Sequence, residues 1–125
     1  MVAERAAKIL KTYEYSKHDI ELVKIAGYMH DIGNVVNRSR HGEYGAILAN
    51  EILLKTDMSL EDRVEIVSCI GNHGESTGGP VDAISAALII ADKTDVRRNR
   101  VQEKLSQLMI NLKKSWTSYN ICMKM

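Results

Sequence analysis

An adjacent His30-Asp31 pair stands at the end of the apolar run Leu22 to Met29, and Gly33 follows almost at once. A carboxylate beside an apolar segment has to be paired, hydrogen-bonded or bound to a metal, because burying an isolated charge is costly. Imidazole nitrogen and carboxylate oxygen are common ligands of zinc, manganese and iron. The pair therefore predicts a metal site, provided that other parts of the chain supply further ligands.

Three other residues are candidates for those ligands. Asp92 follows Leu88 by four residues and so shares a stripe with it on the most apolar segment of the chain. His41 opens a predicted helix, and His73 lies in a glycine-rich loop. Side chains at the junctions of elements can converge on one point, so these residues together with the pair favour a metal centre.

Each candidate also has a purely structural interpretation. Asp31 could accept backbone hydrogen bonds near Gly33, and His41 could be a helix cap. Asp92 could pair with a basic neighbour, for which the sequence offers Lys93, Arg97 and Arg98. His18 lies in a polar joint, and we assign it no role. The combination of all these residues is less readily explained by packing than any one of them alone.

Helical spacing of apolar residues predicts the elements that position these side chains. Gly33 is expected to end the second helix as its C-cap, and Ser16 or Asp19 to begin it. Ser59 followed by Asp62 resembles a capping box for the fourth helix. A buried strand is an alternative for Leu88 to Ala91, but the alanines favour a helix. The predicted helices are Val2 to Tyr15, Ile20 to Asp31, His41 to Lys55, Leu60 to Gly71, Val81 to Arg98 and Val101 to Trp116.

The sequence thus predicts an all-α protein, a compact single-domain bundle of about six helices. The domain is expected to span residues 1–117, with a frayed tail at 118–125. The core must rest on Ile, Leu, Val, Ala and Met, because the chain has no phenylalanine and one tryptophan. The stripe that ends at Trp116 is interpreted as core, with a homodimer interface as the alternative.

Composition excludes several classes of function. The 17 basic residues nearly balance the 16 acidic ones, so no surface for long nucleic acid is expected. No apolar run approaches the roughly 20 residues of a membrane span, and no signal peptide is visible. Cys69 and Cys122 do not form a Cys-x-x-Cys motif. Cys69 is expected to be a small buried hydrophobe, and a reducing cytoplasm is the predicted location.

Taken in order, these segments resemble the HD-domain superfamily of metal-dependent phosphohydrolases. The segment from Tyr28 to Gly33 matches the family's His-Asp pair, and Ile89 to Lys93 matches its distal aspartate. The segments that begin at His41 and Asn72 are similar to those that carry extra histidines in members with two metals. Gly78-Gly79-Pro80 is similar to the Gly-Tyr-Pro of the branch that acts on cyclic dinucleotides, with glycine in place of tyrosine.

The resemblance implies a hydrolase that uses a metal-activated water on a nucleotide or other small phosphate ester or phosphodiester. It implies one or two divalent ions, with Mn, Fe, Zn, Ni, Co and Mg not distinguished. Arg38 and Arg40 are candidates to bind phosphate, and Glu43 or Glu75 to relay protons. The implied metal ligands are His30, Asp31, His41, His73 and Asp92, and the implied catalytic residues are Asp31, Lys93 and Glu75.

One departure from the family pattern concerns the first histidine. That residue normally precedes a Val-Ala-x-x-Ala pattern, which Val2 to Ala6 resembles. The expectation is either that a few preceding residues are missing or that this member has an incomplete ligand shell. Two alternatives to catalysis follow, a non-catalytic metal- or nucleotide-binding regulatory module and a helical oligomerisation protein.

Overall fold

The structure, a computed structural model, describes residues 1–74 and 78–95. Within these residues it contains five α-helices, one 3-10 helix and no strand. The all-α prediction is confirmed, and the predicted sixth helix lies outside the described residues, as does the boundary expected at residue 117. The helices are α1 (Val2–Thr12), α2 (Lys17–Met29), α3 (His41–Leu53), α4 (Leu60–Gly71) and α5 (Ala83–Thr94), and the 3-10 turn is Ile32–Val35.

The core lies where α1 and α2 pack together, with α5 against α1 and α4 against α2. Its largest fully buried side chains are aliphatic or methionine, such as Leu10, Ile25, Met29 and Leu88. The predicted core composition is therefore confirmed among the described residues. Gly27 permits the close crossing of α1 and α2, because a Cβ atom on it would lie 2.7 Å from Ala3 Cα.

Side-chain caps fix the starts of three helices. Ser16 Oγ accepts a hydrogen bond from the Asp19 amide at 3.1 Å, so α2 begins at Lys17 rather than at Ile20 as predicted. Ser59 caps α4 in the same way, as predicted. Asp82 Oδ1 accepts from the Ser85 amide at 2.8 Å and starts α5 at Ala83, two residues after the predicted start.

The prediction that Gly33 is the C-cap of α2 is wrong. The helix ends at Met29, His30 is the C-cap, and Gly33 is buried within the 3-10 turn with no positive φ. What Gly33 provides is close approach, because a Cβ there would overlap the His41 carbonyl and lie 2.6 Å from the Gly45 amide nitrogen. The glycine thus allows the 3-10 turn to pack directly on the first turn of α3, where His41 lies.

Within the described residues, no helix is long and apolar enough to span a membrane.

Candidate metal centre

His30 and Asp31 come together because the helix changes course between them. In a continuing α-helix, adjacent side chains would diverge by roughly 100°. His30 keeps helical angles (φ −61, ψ −27), whereas Asp31 adopts φ −100 and ψ 6 as the residue that precedes the 3-10 turn. As a result, Asp31 Oδ2 lies 3.3 Å from His30 Nε2.

The other three predicted ligands reach the same point from three different elements. His41 is the first residue of α3, His73 directly follows the C-cap of α4, and Asp92 lies near the end of α5. Asp92 Oδ1 lies 3.3 Å from His30 Nε2, and His41 Nε2 lies 3.0 Å from His73 Nε2. The structure therefore brings all five predicted metal ligands into one cluster.

Asp31 occupies the middle of this cluster. One of its oxygens lies 3.3 Å from His30 Nε2, and the other lies 3.5 Å from His41 Nε2. Ligand atoms of Asp31, His41 and His73 all lie within 4.8 Å of one another. The two oxygens of this carboxylate therefore face different imidazoles.

The three histidines present the same nitrogen to the cluster. Each Nδ1 faces the backbone carbonyl three residues earlier: Gly27 for His30 at 2.6 Å, Arg38 for His41 at 3.0 Å and Ile70 for His73 at 2.5 Å. A carbonyl only accepts, so each Nδ1 carries the hydrogen and donates it. In the neutral rings, Nε2 therefore keeps its lone pair and directs it inward. Such bonds fix the tautomer and orientation of metal-binding histidines.

These residues fit a divalent cation. His30 Nε2 is buried and makes no hydrogen bond within the described residues, although two carboxylates lie close by. Buried polar atoms without hydrogen bonds are uncommon and costly. The lone pairs of His41 and His73 also face each other at 3.0 Å, an approach that requires a proton or a cation between them. Divalent metal ions bound in this cluster would satisfy these nitrogens.

Burial and neighbouring charges have opposite net effects on two of these rings. Burial acts to lower the pKa of His30, but the Asp92 and Asp31 carboxylates outweigh it, and the pKa is raised. The pKa of His73 is lowered, first by burial and then by the positive charge of His30 nearby. His73 is therefore favoured as a neutral imidazole, the form that binds metals.

Apart from Asp31, none of the predicted substrate-binding and catalytic residues that the structure describes has a side-chain contact with the metal ligands. Arg38 and Arg40 are exposed in the loop before α3, and Arg40 Nε lies 4.0 Å from a Glu43 oxygen. Lys93 is exposed beside Asp92. Glu75 lies outside the described residues, as do Arg97 and Arg98, the alternative partners considered for Asp92. The roles of Arg38, Arg40 and Lys93 in substrate binding and catalysis therefore stay predictions.

Sequence reasoning did not anticipate the three carbonyl acceptors or a second cluster on α4. The sequence spacing could have indicated the carbonyl acceptors, because each belongs to the residue three positions before its histidine. In the second cluster, the buried Cys69 donates from Sγ to Glu65 Oε2 at 3.5 Å, with the Asp82 carboxylate close to both. Burial, together with these carboxylates, raises the pKa of the Cys69 thiol, so it is a neutral thiol at neutral pH.

His18 lies away from the metal ligands and has a partner that the sequence did not reveal. Its Nε2 lies 2.8 Å from Asp62 Oδ1, which joins the start of α2 to the first turn of α4. The side chain stays 55% exposed. His18 is thus a surface residue with a structural contact, and it offers a control for the other three histidines.

Comparison with known proteins identifies the family of this chain. The model of the HD domain family matches residues 1–105. This chain belongs to the HD domain family, whose members are generally metal-dependent phosphohydrolases that bind divalent metals. No curated protein matches the chain, and no solved structure does.

Proposed function

We propose that this protein is a phosphohydrolase that uses one or two divalent ions to cleave a nucleotide or another small phosphate ester or phosphodiester. The observation that carries the proposal is the convergence of three imidazole Nε2 atoms on the two oxygens of Asp31 and on Asp92. Family membership supports this reaction class, and the geometry of the cluster supports a metal-dependent mechanism.

The five ligands divide into two groups around Asp31. His30, Asp31 and Asp92 would hold one ion, and His41, His73 and the second oxygen of Asp31 would hold another. When bound, such an ion lowers the pKa of a coordinated water and offsets negative charge on a phosphoryl oxygen. The carbonyls of Gly27, Arg38 and Ile70 hold the rings in place before the ion arrives, so the chain need not reorganise to bind it.

Basic side chains around the cluster would bind the substrate. The guanidinium groups of Arg38 and Arg40 match the geometry of phosphate oxygens, and the Arg38 backbone already contacts His41. Lys93 follows Asp92 directly and is exposed. In this proposal Glu43 or Glu75 moves a proton to or from the reacting oxygens. A small substrate suits a chain with a formal charge of only +1, since this overall balance gives no reason to expect a long polyanion.

A metal-binding regulatory module without turnover is the second candidate. The observation that favours it is the position of Arg40, which is 67% exposed and whose guanidinium lies beside Glu43. An arginine held by a neighbouring carboxylate is less available to a phosphate. In this alternative the metal cluster binds a ligand or stabilises the fold, and its occupancy rather than turnover carries the signal.

The two candidates separate in one experiment. Purified protein is loaded with manganese and assayed with bis(4-nitrophenyl) phosphate and with 4-nitrophenyl phosphate, beside the variants His73→Ala and His18→Ala. The proposal expects manganese-dependent hydrolysis of at least one ester, lost in His73→Ala and retained in His18→Ala. Bound metal without hydrolysis of either ester would favour the regulatory module, and hydrolysis that survives His73→Ala would contradict the assigned site.

A further inference from the structure

An open apolar groove of about 430 Å³ lies between α1 and α5, away from the metal ligands. On the α5 side its wall is made largely of alanines, and on the α1 side it includes Ile9 and Tyr13. Ile90 is 50% exposed and Tyr13 is 73% exposed at this groove. Small residues on one wall leave room for a helix to approach closely, with an axis separation of about 8–10 Å.

We propose that residues 101–116 of this same chain form a helix that packs antiparallel to α5 in this groove. The proposal does not depend on the hydrolase activity. It rests on three observations: the register between the segment and α5, the length of chain that joins them, and the distribution of charge along the sequence.

The register is the first observation. Four residues of α5 line the groove, at intervals of three, one and three residues: Ala83, Ala86, Ala87 and Ile90. The apolar residues Leu105, Leu108, Met109 and Leu112 recur at the same intervals. In an antiparallel helical hairpin the pairs that face each other are Ile90 with Leu105, Ala87 with Leu108, Ala86 with Met109 and Ala83 with Leu112. Each large side chain of the segment then meets an alanine or the exposed Ile90.

The connection is the second observation. α5 ends at Thr94, and residues 95–100 separate it from Val101. Six residues are enough to reverse the chain and cross to a neighbouring helix axis about 8–10 Å away. Short connections typically join antiparallel helices that pack side by side. Arg5 on α1 donates a hydrogen bond to the Thr94 carbonyl, so α1 also lies beside the end of α5 from which the connection leaves.

Charge is the third observation. Residues 96–125 hold seven of the 17 basic residues and one of the 16 acidic ones. Residues 1–95 consequently carry a negative excess and the later segment a positive one. In the proposed register Lys113 falls at the start of α5, the end at which Glu14 lines the groove. The segment thus brings a lysine to the end of the groove where a carboxylate lies.

The docked segment would pack on the side of α5 opposite the metal ligands. Asp92 is nine residues from Ala83, which places it roughly 180° around the helix from the groove. The segment would therefore pack on the face of α5 opposite Asp92 and keep Asp92 directed toward His30. In this way, residues beyond α5 contribute to the rigidity of the metal centre without contacting it.

The test uses Trp116, the chain's one tryptophan. In the full chain, its fluorescence is compared between the wild type, Ile90→Glu and the matched control Ile47→Glu, which changes an isoleucine on α3 that is 62% exposed. The proposal expects buried-tryptophan emission that is independent of protein concentration. Ile90→Glu should shift it to longer wavelength and increase quenching by acrylamide, and Ile47→Glu should not. Equal behaviour of the two variants would overturn the proposal.

A crosslink identifies the occupant. The experiment uses a Cys122→Ser background. Ala86→Cys combined with Met109→Cys should form a disulfide within one chain upon mild oxidation. Ala86→Cys combined with Asn111→Cys should not, because residue 111 points away from α5 in the proposed register. Non-reducing electrophoresis separates monomer from crosslinked dimer. A dimer from the first pair would show that a second copy fills the groove, and equal crosslinking of both pairs would contradict the register.

Discussion

His41 Nε2 and His73 Nε2 lie 3.0 Å apart, although each ring donates its Nδ1 hydrogen to a backbone carbonyl. Two lone pairs at this distance repel unless a proton or a cation lies between them. Burial and the charge of His30 lower the pKa of His73, which makes a proton the less favoured occupant on that ring. This arrangement therefore fits a metal ion held between the two rings.

Replacing His73 by alanine should abolish binding at the half of the site that His41 shares. His73→Ala removes one imidazole ligand, and His41 with one oxygen of Asp31 is a weak pair for a divalent ion. Calorimetric titration with manganese should show the loss of this binding event. His18→Ala is the matched control, because His18 contacts Asp62 rather than the cluster, and it should bind as the wild type does. Equal binding by both variants would remove His73 from the site.

His30→Ala and Asp92→Asn should each abolish retention of the ion held beside them. Asp92 Oδ1 and His30 Nε2 are 3.3 Å apart, so each change removes a ligand from the same group. Asp92→Asn nearly conserves volume and removes the charge, which separates ligation from packing. Elemental analysis after gel filtration gives the stoichiometry. Metal content unaffected by both variants would show that the assignment is wrong.

Gly33→Ala should destabilise the fold by roughly 1–3 kcal/mol, the usual cost of forcing atoms into a packed site. The added methyl would overlap the His41 carbonyl and press on the Gly45 amide, so it should also displace His41 and weaken metal binding. Gly79→Ala is the control, since a Cβ there meets nothing within 4 Å. Denaturant unfolding compares the two. A Gly33→Ala protein as stable as Gly79→Ala would contradict the close approach.

Stability should fall between about pH 4.5 and pH 7 because of Glu65. Burial first and then the Asp82 carboxylate raise the pKa of Glu65 from 4.5 to about 7. The folded state then binds more protons than the unfolded state across this window, so the contribution of Glu65 is lost as pH rises. The variant Glu65→Gln should flatten this part of the pH dependence of unfolding midpoints. Glu51→Gln, an exposed glutamate on α3, should not, and a slope unchanged in both would refute the assignment.

Sequence patterns predicted the elements and the ligand types because both depend on local features. The bounds of α4 agree with the prediction, since Ser59 caps its start and apolar spacing defines its length. The elements that carry the ligands were also predicted. Helix spacing places Asp92 on a buried stripe, and His41 and His73 fall at ends of elements. Residue types and their spacing along the chain are therefore enough to predict these helices and the types of ligand.

What the sequence could not predict depends on contacts between distant residues. Gly33 has the usual position of a C-cap, but its role is set by the approach of His41 and Gly45 from another helix. Likewise, Asp62 was expected to complete a capping box, yet its carboxylate pairs with His18 from α2. The inward direction of the three Nε2 atoms follows from carbonyl geometry, which no residue type encodes. Such features become visible only in the folded structure.

The metal content of the wild-type protein tests the central claim most directly. Protein produced with divalent metals available and passed through gel filtration is analysed for manganese, iron, zinc, nickel, cobalt and magnesium. The arrangement of three histidines and two aspartates predicts one or two ions for each chain. Protein that retains no ion, and that also fails to bind manganese or zinc in a calorimetric titration, would contradict the account.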